Sequence, residues 1–285
     1  MIRSLLLLPL LAIGAAAKDP FASKIAEWDK KGYAIRERIT RRAGDLTGSA
    51  IVYSSREGGA DRLEIYVATK DKVYLGYAHP SAGERLELEP SPAGRLNDLL
   101  GDGSLVVAYR STLPGMGAAD LNVIRWKKFS LKRVANLPEA RFLTLDGKPG
   151  IASRERPLGA FLSVACDDYG TMSRSAFKTT LHAARNGVLT DVSGMFPDFY
   201  ESEIARKEKS LETLKGSLEQ NAGEYLGLAL SSYYDYAALG RAKEGWTKLR
   251  QFFVLPAYAP PAAKACLSRM EADLRDKLGV PASWP

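Results

Sequence analysis

A turn built from Asp and Gly, followed at once by an apolar strand, is written three times in this chain. That recurrence constrains the fold more than any other feature. Asp45-Leu46-Thr47-Gly48 leads into Ile51-Val52-Tyr53-Ser54, and Asp98-Leu99-Leu100-Gly101 leads into Val106-Val107-Ala108-Tyr109-Arg110-Ser111. Leu145-Asp146-Gly147 leads into Ile151-Ala152-Ser153-Arg154-Glu155. From Gly48 through Gly101 to Gly147 the unit is about fifty residues long, which is room for four short strands. Alternation and β-branched content predict strands at 49–54, 63–69, 73–78 and 85–89, then at 104–111, 121–126, 129–134 and 141–145. A third set runs over 150–154, 160–166, 177–184 and 188–193, with Asn186-Gly187 as a tight hairpin turn. A non-repetitive β-sandwich is the competing architecture, because it too spaces short strands regularly.

The flanks read as helical. Asp19-Pro20 is a helix start, and Phe21, Ile25, Trp28, Ile35 and Ile39 form one apolar stripe reaching Arg42, with Gly32 in the missing place. A capping helix is therefore expected within 18–44, covering the open flank that three modules leave. After Pro197 the stripe Tyr200, Ile204, Leu211, Leu214 and Leu218 predicts a helix on which Arg206 to Lys209 and Glu212 are solvated. Tyr225–Leu239 is apolar nearly all round and reads as a buried helix ended by Gly240. Trp246, Leu249 and Phe252 mark the next helix, and Pro261 opens the last, with Cys266, Met270, Leu274 and Leu278 on one face. The fold class is thus α+β: three antiparallel four-stranded modules over 45–196, followed by an α-helical domain over 197–285.

The first seventeen residues have the pattern of a signal peptide: Arg3, an apolar run from Leu5 to Ile13, and Ala15-Ala16-Ala17 as the cleavage site. The run is far short of the ~20 residues that span a bilayer, so the expectation is export to a periplasm or secretion, not membrane spanning. The formal net charge of +7 is mild and dispersed, and does not point to nucleic acid. Two cysteines, Cys166 and Cys266, are expected to form a disulfide in an oxidising compartment; two buried thiols out of contact are the alternative.

Asp98-Leu99-Leu100-Gly101-Asp102-Gly103 followed by an apolar strand resembles the VCBS/FG-GAP repeats of integrin-type β-propellers. Leu145-Asp146-Gly147-Lys148-Pro149 resembles a shortened copy. The resemblance implies that the modules are blades of a partial β-propeller. It further implies calcium in the turn, with Asp98 and Asp102 at ligand positions. Asp and Gly also have a sufficient reason to be there without an ion, since Asp side chains satisfy turn amides. The segment around Gly240 is similar to a tetratricopeptide hairpin, with Tyr236, Gly240, Gly245 in the small-residue place and Pro256 near the end. Its aromatics read as core before they read as a groove.

Catalytic motifs are missing: there is no nucleophile elbow, phosphate loop, paired-histidine metal helix or dinucleotide glycine pattern. His182 reads as an exposed strand residue, and Asp167-Asp168 as part of a turn. The loops that follow the first strand of each module are the candidate binding surface. They carry Arg56, then Leu113, Pro114 and Met116, then Arg154. The function expected is an exported, non-catalytic binding or scaffold protein of the cell envelope that uses its β-repeats to hold a protein or glycan. A periplasmic inhibitor or immunity-type protein, and a hydrolase without a sequence-local motif, are the alternatives.

Overall fold

Strand-forming sequence starts earlier than the apolar stripe implies. The computed structural model describes residues 19–79, 83–115, 117–158, 175–215, 218–254, 257–258 and 260–285. Its first helix, α1, is only Ala22–Asp29. Gly32 then adopts φ +82°, and Tyr33–Ala43 continues as strand β1. Ile35 and Ile39 lie four apart, a spacing that satisfies the strand period as well as the helical one. A bulge between Ile35 and Glu37 interrupts the pairing with β2, and Tyr33, Glu37, Ile39 and Ala43 are half-buried while the arginines are exposed. The expected helix to Arg42 is therefore corrected to one short helix and one strand.

The described residues are α+β, with antiparallel sheets and mostly C-terminal helices. Two compact units divide the chain, Met1–Ser81 and Ala82–Pro285. In the first unit β1, β2 (Leu46–Ser55), β3 (Arg62–Ala68) and β4 (Val73–Ala78) pair in chain order as an antiparallel meander. Helix α1 lays Phe21, Ile25 and Trp28 on Ile51, Tyr53, Tyr66 and Ala68 of that sheet. The buried Glu64 carboxylate anchors the contact. It accepts from Trp28 Nε1 at 2.8 Å, from Arg62 Nε at 3.0 Å and from the Tyr66 hydroxyl. Asp19 also works at the start of α1, where its Oδ1 accepts the Phe21 N–H at 3.0 Å.

In the second unit, β5 (Arg85–Leu88) and β6 (Arg95–Asn97) share one edge of β7 (Leu105–Thr112). They act as one interrupted strand, with β8 (Asp120–Lys127) and β9 (Ser130–Leu137) following on β7's other side. The next sheet runs β10 (Arg141–Leu145), β11 (Lys148–Glu155), β12 (Lys178–Arg185) and β13 (Val188–Asp191) in chain order. The expected strand over 160–166 lies outside the described residues.

Each described sheet is thus a four-place meander, but the expected grouping is out of step by one strand. The Asp/Gly turn joins the first and second strands of each sheet instead of preceding the first. It is Gly44-Asp45 between β1 and β2, Asp98–Ser104 between β6 and β7, and Asp146-Gly147 between β10 and β11. Gly48 is inside β2, opposite Arg41. Misreading β1 as helix is what shifted the frame.

The last sheet is buried on both faces. Ile151, Phe142, Ala184 and Leu189 pack against Val106, Ala108, Leu121 and Val123 of the preceding sheet. Their neighbours of opposite parity, Leu145, Ala152 and Leu181, pack against Tyr200 and Phe199 of helix α2 (Pro197–Leu214). Helices α3 (Leu218–Ala238), α4 (Ala242–Arg250) and α5 (Pro261–Lys277) enclose a separate core of Leu226, Leu230, Trp246, Leu249, Met270 and Leu274. Full burial of such side chains contributes about 1.5–3 kcal/mol each. One charge departs from expectation: Lys207, read as solvated, is fully buried in an ion pair with Asp235.

Candidate functional site

The loop residues singled out from sequence connect the second and third strands of their sheets. Arg56 begins the β2–β3 loop and Leu113 and Pro114 the β7–β8 loop, whereas Arg154 lies within β11, one residue before its end. Two of them are engaged locally. The Arg56 guanidinium pairs with Asp29 at the end of α1, and its N–H donates to Gly32 O at 2.9 Å. Arg154 is half-buried, with its guanidinium 4.4 Å from the centroid of the Phe177 ring. Burial, with Arg141 adding to it, holds its pKa below the usual value. Leu113 and Pro114 are exposed, Leu113 at 46%. Met116 lies outside the described residues, as does Cys166, so the pairing with Cys266 is not described.

Asp98 and Asp102 build the turn and its surroundings, and they do not fit calcium. The Asp98 carboxylate accepts the N–H groups of Asp102 at 3.2 Å and Gly103 at 3.1 Å. Asp102 Oδ1 accepts the Ser104 N–H at 3.0 Å and the Ser104 hydroxyl, and Oδ2 holds Arg125 at 2.6 Å. The Ser104 hydroxyl bond chiefly keeps the Asp102 carboxyl below its ordinary range. Calcium takes six to eight oxygens. A guanidinium already sits on this carboxylate, and no group of three or more metal-ligating side chains occurs among the described residues.

His182, expected as an exposed strand residue, is half-buried, and strand register brings a serine beside it. Register sets Ile151 opposite His182, which brings Ser153 into diagonal reach on the same face. Ser153 Oγ and His182 Nε2 are hydrogen-bonded at 2.8 Å. Asp191 lies opposite His182 on β13, and its carboxylate accepts the Ser193 N–H at 2.8 Å. Burial lowers the His182 pKa against the pull of Asp191 and Glu155, keeping the ring neutral at neutral pH. Ser153 is wholly buried in the middle of a sheet. The pair stitches two strands together, with Ser153 wholly buried and His182 half-buried.

A concave surface occurs where α2, α3 and α4 meet. Gly245 makes it possible: a Cβ there would lie 2.7 Å from Tyr236 Cβ, so α4 crosses α3 at a distance only glycine permits. That is the small-residue place of the tetratricopeptide-like reading. The groove holds about 330 Å³ and is floored by Tyr225, Tyr233, Tyr236 and Phe252. Tyr225 and Phe252 are stacked, with centroids 5.4 Å apart. At one side Glu208 Oε1 accepts from the Tyr236 hydroxyl at 2.8 Å and from Lys248 Nζ at 2.5 Å. Burial works to raise the Glu208 carboxyl, but the bonds from Lys248 and Tyr236 outweigh it and hold the group ionised. Lys209, Glu212 and Lys215 line the rim. Tyr233 and Tyr236 are themselves buried, so these aromatics serve core and groove together. The groove can take an apolar side chain while its lysines meet an acidic or carbonyl neighbour. Compared with protein families, with curated proteins and with solved structures, the chain matches none of them.

Proposed function

We propose that this chain is an exported, non-catalytic binding protein of the cell envelope, and that the groove between α2, α3 and α4 holds a segment of a partner protein. The observation that carries the reading is an aromatic floor beside a satisfied Glu208–Lys248 pair, open to one side. A protein segment suits it better than a glycan. Tyr225 and Phe252 each turn one face to the other, which leaves less bare aromatic face for a sugar to stack on than two isolated rings would. In the same reading residues 1–17 are a cleaved signal peptide, Cys166 and Cys266 are bridged, and nucleic acid is not a partner. No helix among the described residues is long and apolar enough to cross a membrane.

The three meanders are, on this proposal, propeller-type blades. Their support is internal: four strand places in each described sheet, a turn containing Asp and Gly in the first hairpin each time, and candidate binding residues at the start of the second-to-third connection in the first two sheets. The exposed Leu113 and Pro114 give those loops a secondary role in partner contact.

The test is site-specific photocrosslinking in cells. A benzoylphenylalanine at Lys215, on the groove's rim, is expected to yield a discrete adduct. Phe252→Ala and Tyr225→Ala should each lower its yield about tenfold, as loss of an aromatic anchor does at an interface. Adducts at Lys215 that persist undiminished in both variants would remove the groove as the binding surface. If they moved to a probe at Leu113, the β-loops would take its place.

A further inference from the structure

The β8–β9 hairpin carries a second concave surface, of about 540 Å³, whose lining contains four cations and no acid. Arg125, Lys127, Lys132 and Arg133 contribute the charge, and Val134 and Val188 the apolar part. Register sets Arg125 directly opposite Lys132, and like charges in that relation destabilise a strand pair. A fold that needed only a solvated face has no reason to keep them opposed.

One carboxylate just outside the lining organises half of the cluster. Asp102 Oδ2 lies 2.6 Å from Arg125 and 3.6 Å from Lys127 Nζ. The hairpin tip at Gly187 closes over Asp102, where an added Cβ would come within 3.2 Å of Asp102 Cβ. Lys132 makes no ion pair among the described residues, and Arg133 meets only the Asn122 amide oxygen, at 3.4 Å. Arg125 and Lys127 are therefore neutralised in part and Lys132 faces the cleft uncompensated, whereas Arg133, opposite Ile124 and bonded to Asn122, turns its guanidinium to the other face of the sheet. Beside them Val188 is 58% exposed and Val134 37%.

We propose that this cleft binds a small phosphate-bearing ligand of sugar-phosphate size, with Lys132 and the facing Arg125 on the phosphate and Val134 and Val188 against the remainder. A guanidinium fork and an ammonium suit a phosphate, which offers several acceptor oxygens at once. The volume is that of a small-molecule site, too small for a polymer to enter. Asp102 acts here as a counterion that holds the arginine and lysine in place, a role opposite to binding a cation.

The experiment is calorimetric titration of the full chain with glucose 1-phosphate, glucose and inorganic phosphate. Expected is binding of glucose 1-phosphate, weaker binding of inorganic phosphate and none of glucose. Lys132→Ala should weaken the first two about tenfold, by loss of one charge-assisted bond. Asp102→Asn keeps the turn's acceptor oxygen while freeing Arg125 and Lys127, so it should tighten binding several-fold. Opposite signs from the two variants separate a binding role from a loss of folding. Val188→Ser should weaken glucose 1-phosphate alone. The proposal is overturned if glucose 1-phosphate gives no binding, or if Lys132→Ala leaves it unchanged. Binding to phosphatidylglycerol vesicles without binding of glucose 1-phosphate would also overturn it, assigning the cleft to a lipid surface.

Discussion

Lys207 and Asp235 are the side chains whose removal should cost this molecule most. Both are fully buried, Lys207 Nζ also donates to Ser231 O at 3.4 Å, and the Phe177 ring lies 4.8 Å below the ammonium. Glu203 and Arg206 are the further charges felt by the pair. Asp235 Oδ1 has no hydrogen-bond partner among the described residues. Burial lifts the Asp235 pKa to about 6 despite Lys207, and burial lowers that of Lys207. Between the unfolded value of 3.8 and about 6, the folded chain therefore holds a proton that the unfolded chain has released. This group's contribution is present in full below 3.8 and is lost as pH rises through 6. Asp235→Asn alone strands a buried ammonium and should cost about 3–5 kcal/mol in urea denaturation. Lys207→Met with Asp235→Leu should recover most of that loss, and should flatten the pH dependence of the midpoint between 4 and 6. A double variant as unstable as the single one would show the pair to be worth more than apolar packing. The signal for Lys207 was present in the sequence: it fills the gap between Ile204 and Leu211 on the helical seam, but the charged run 206–209 masked it. Ser153 beside His182 had no such signal, because only strand register, across 29 positions of chain, brings them together.

The short α1 and the strand after it make a sharper test than any helix that was read correctly. In an exposed helix interior, replacing Gly by Ala stabilises by about 1 kcal/mol. At φ +82° the same change forces a side chain into the left-handed region and destabilises by a similar amount. Gly32→Ala is therefore expected to lower the thermal midpoint of the chain; a rise would restore the long helix. Elements with strong punctuation were legible: Pro197 and Pro261 open α2 and α5, and Gly240 and Gly279, both at positive φ, follow α3 and α5. Where two periods share a spacing, as Ile35 and Ile39 do, local pattern cannot choose, and the ladder to Leu46–Ser55 decides instead. That one choice moved every module boundary by a strand while leaving the number of modules intact. The basic cleft was illegible for a related reason: Arg125 and Lys132 belong to one hairpin and Gly187 to another, and the two hairpins meet only after sheet packing.

The architecture of alternating meanders and a helical end raises the question of what ties the last helix to the β part. Cys266 lies on α5 one residue before Leu267 of the helical core, and Cys166 lies in the segment between β11 and β12. A bridge between them would close a loop of about 100 residues and, on the chain-entropy account, stabilise the fold by ~4–5 kcal/mol. The proposed export would supply the oxidising compartment in which such a bridge persists. One measurement therefore bears on both proposals. Protein recovered after export, denatured without reductant, should titrate no free thiol, and a proteolytic digest should yield one peptide pair joined through Cys166 and Cys266. Reductant should then lower the thermal midpoint, by about 2 °C for each kcal/mol removed from a chain this long. The same chain retained in a reducing cytoplasm should titrate two thiols and melt at the lower temperature. Two free thiols in the exported form would sink the bridge while leaving export standing. An oxidised pair whose reduction leaves the midpoint unmoved would mean that the unfolded chain, not the native contact, is already confined around these two positions.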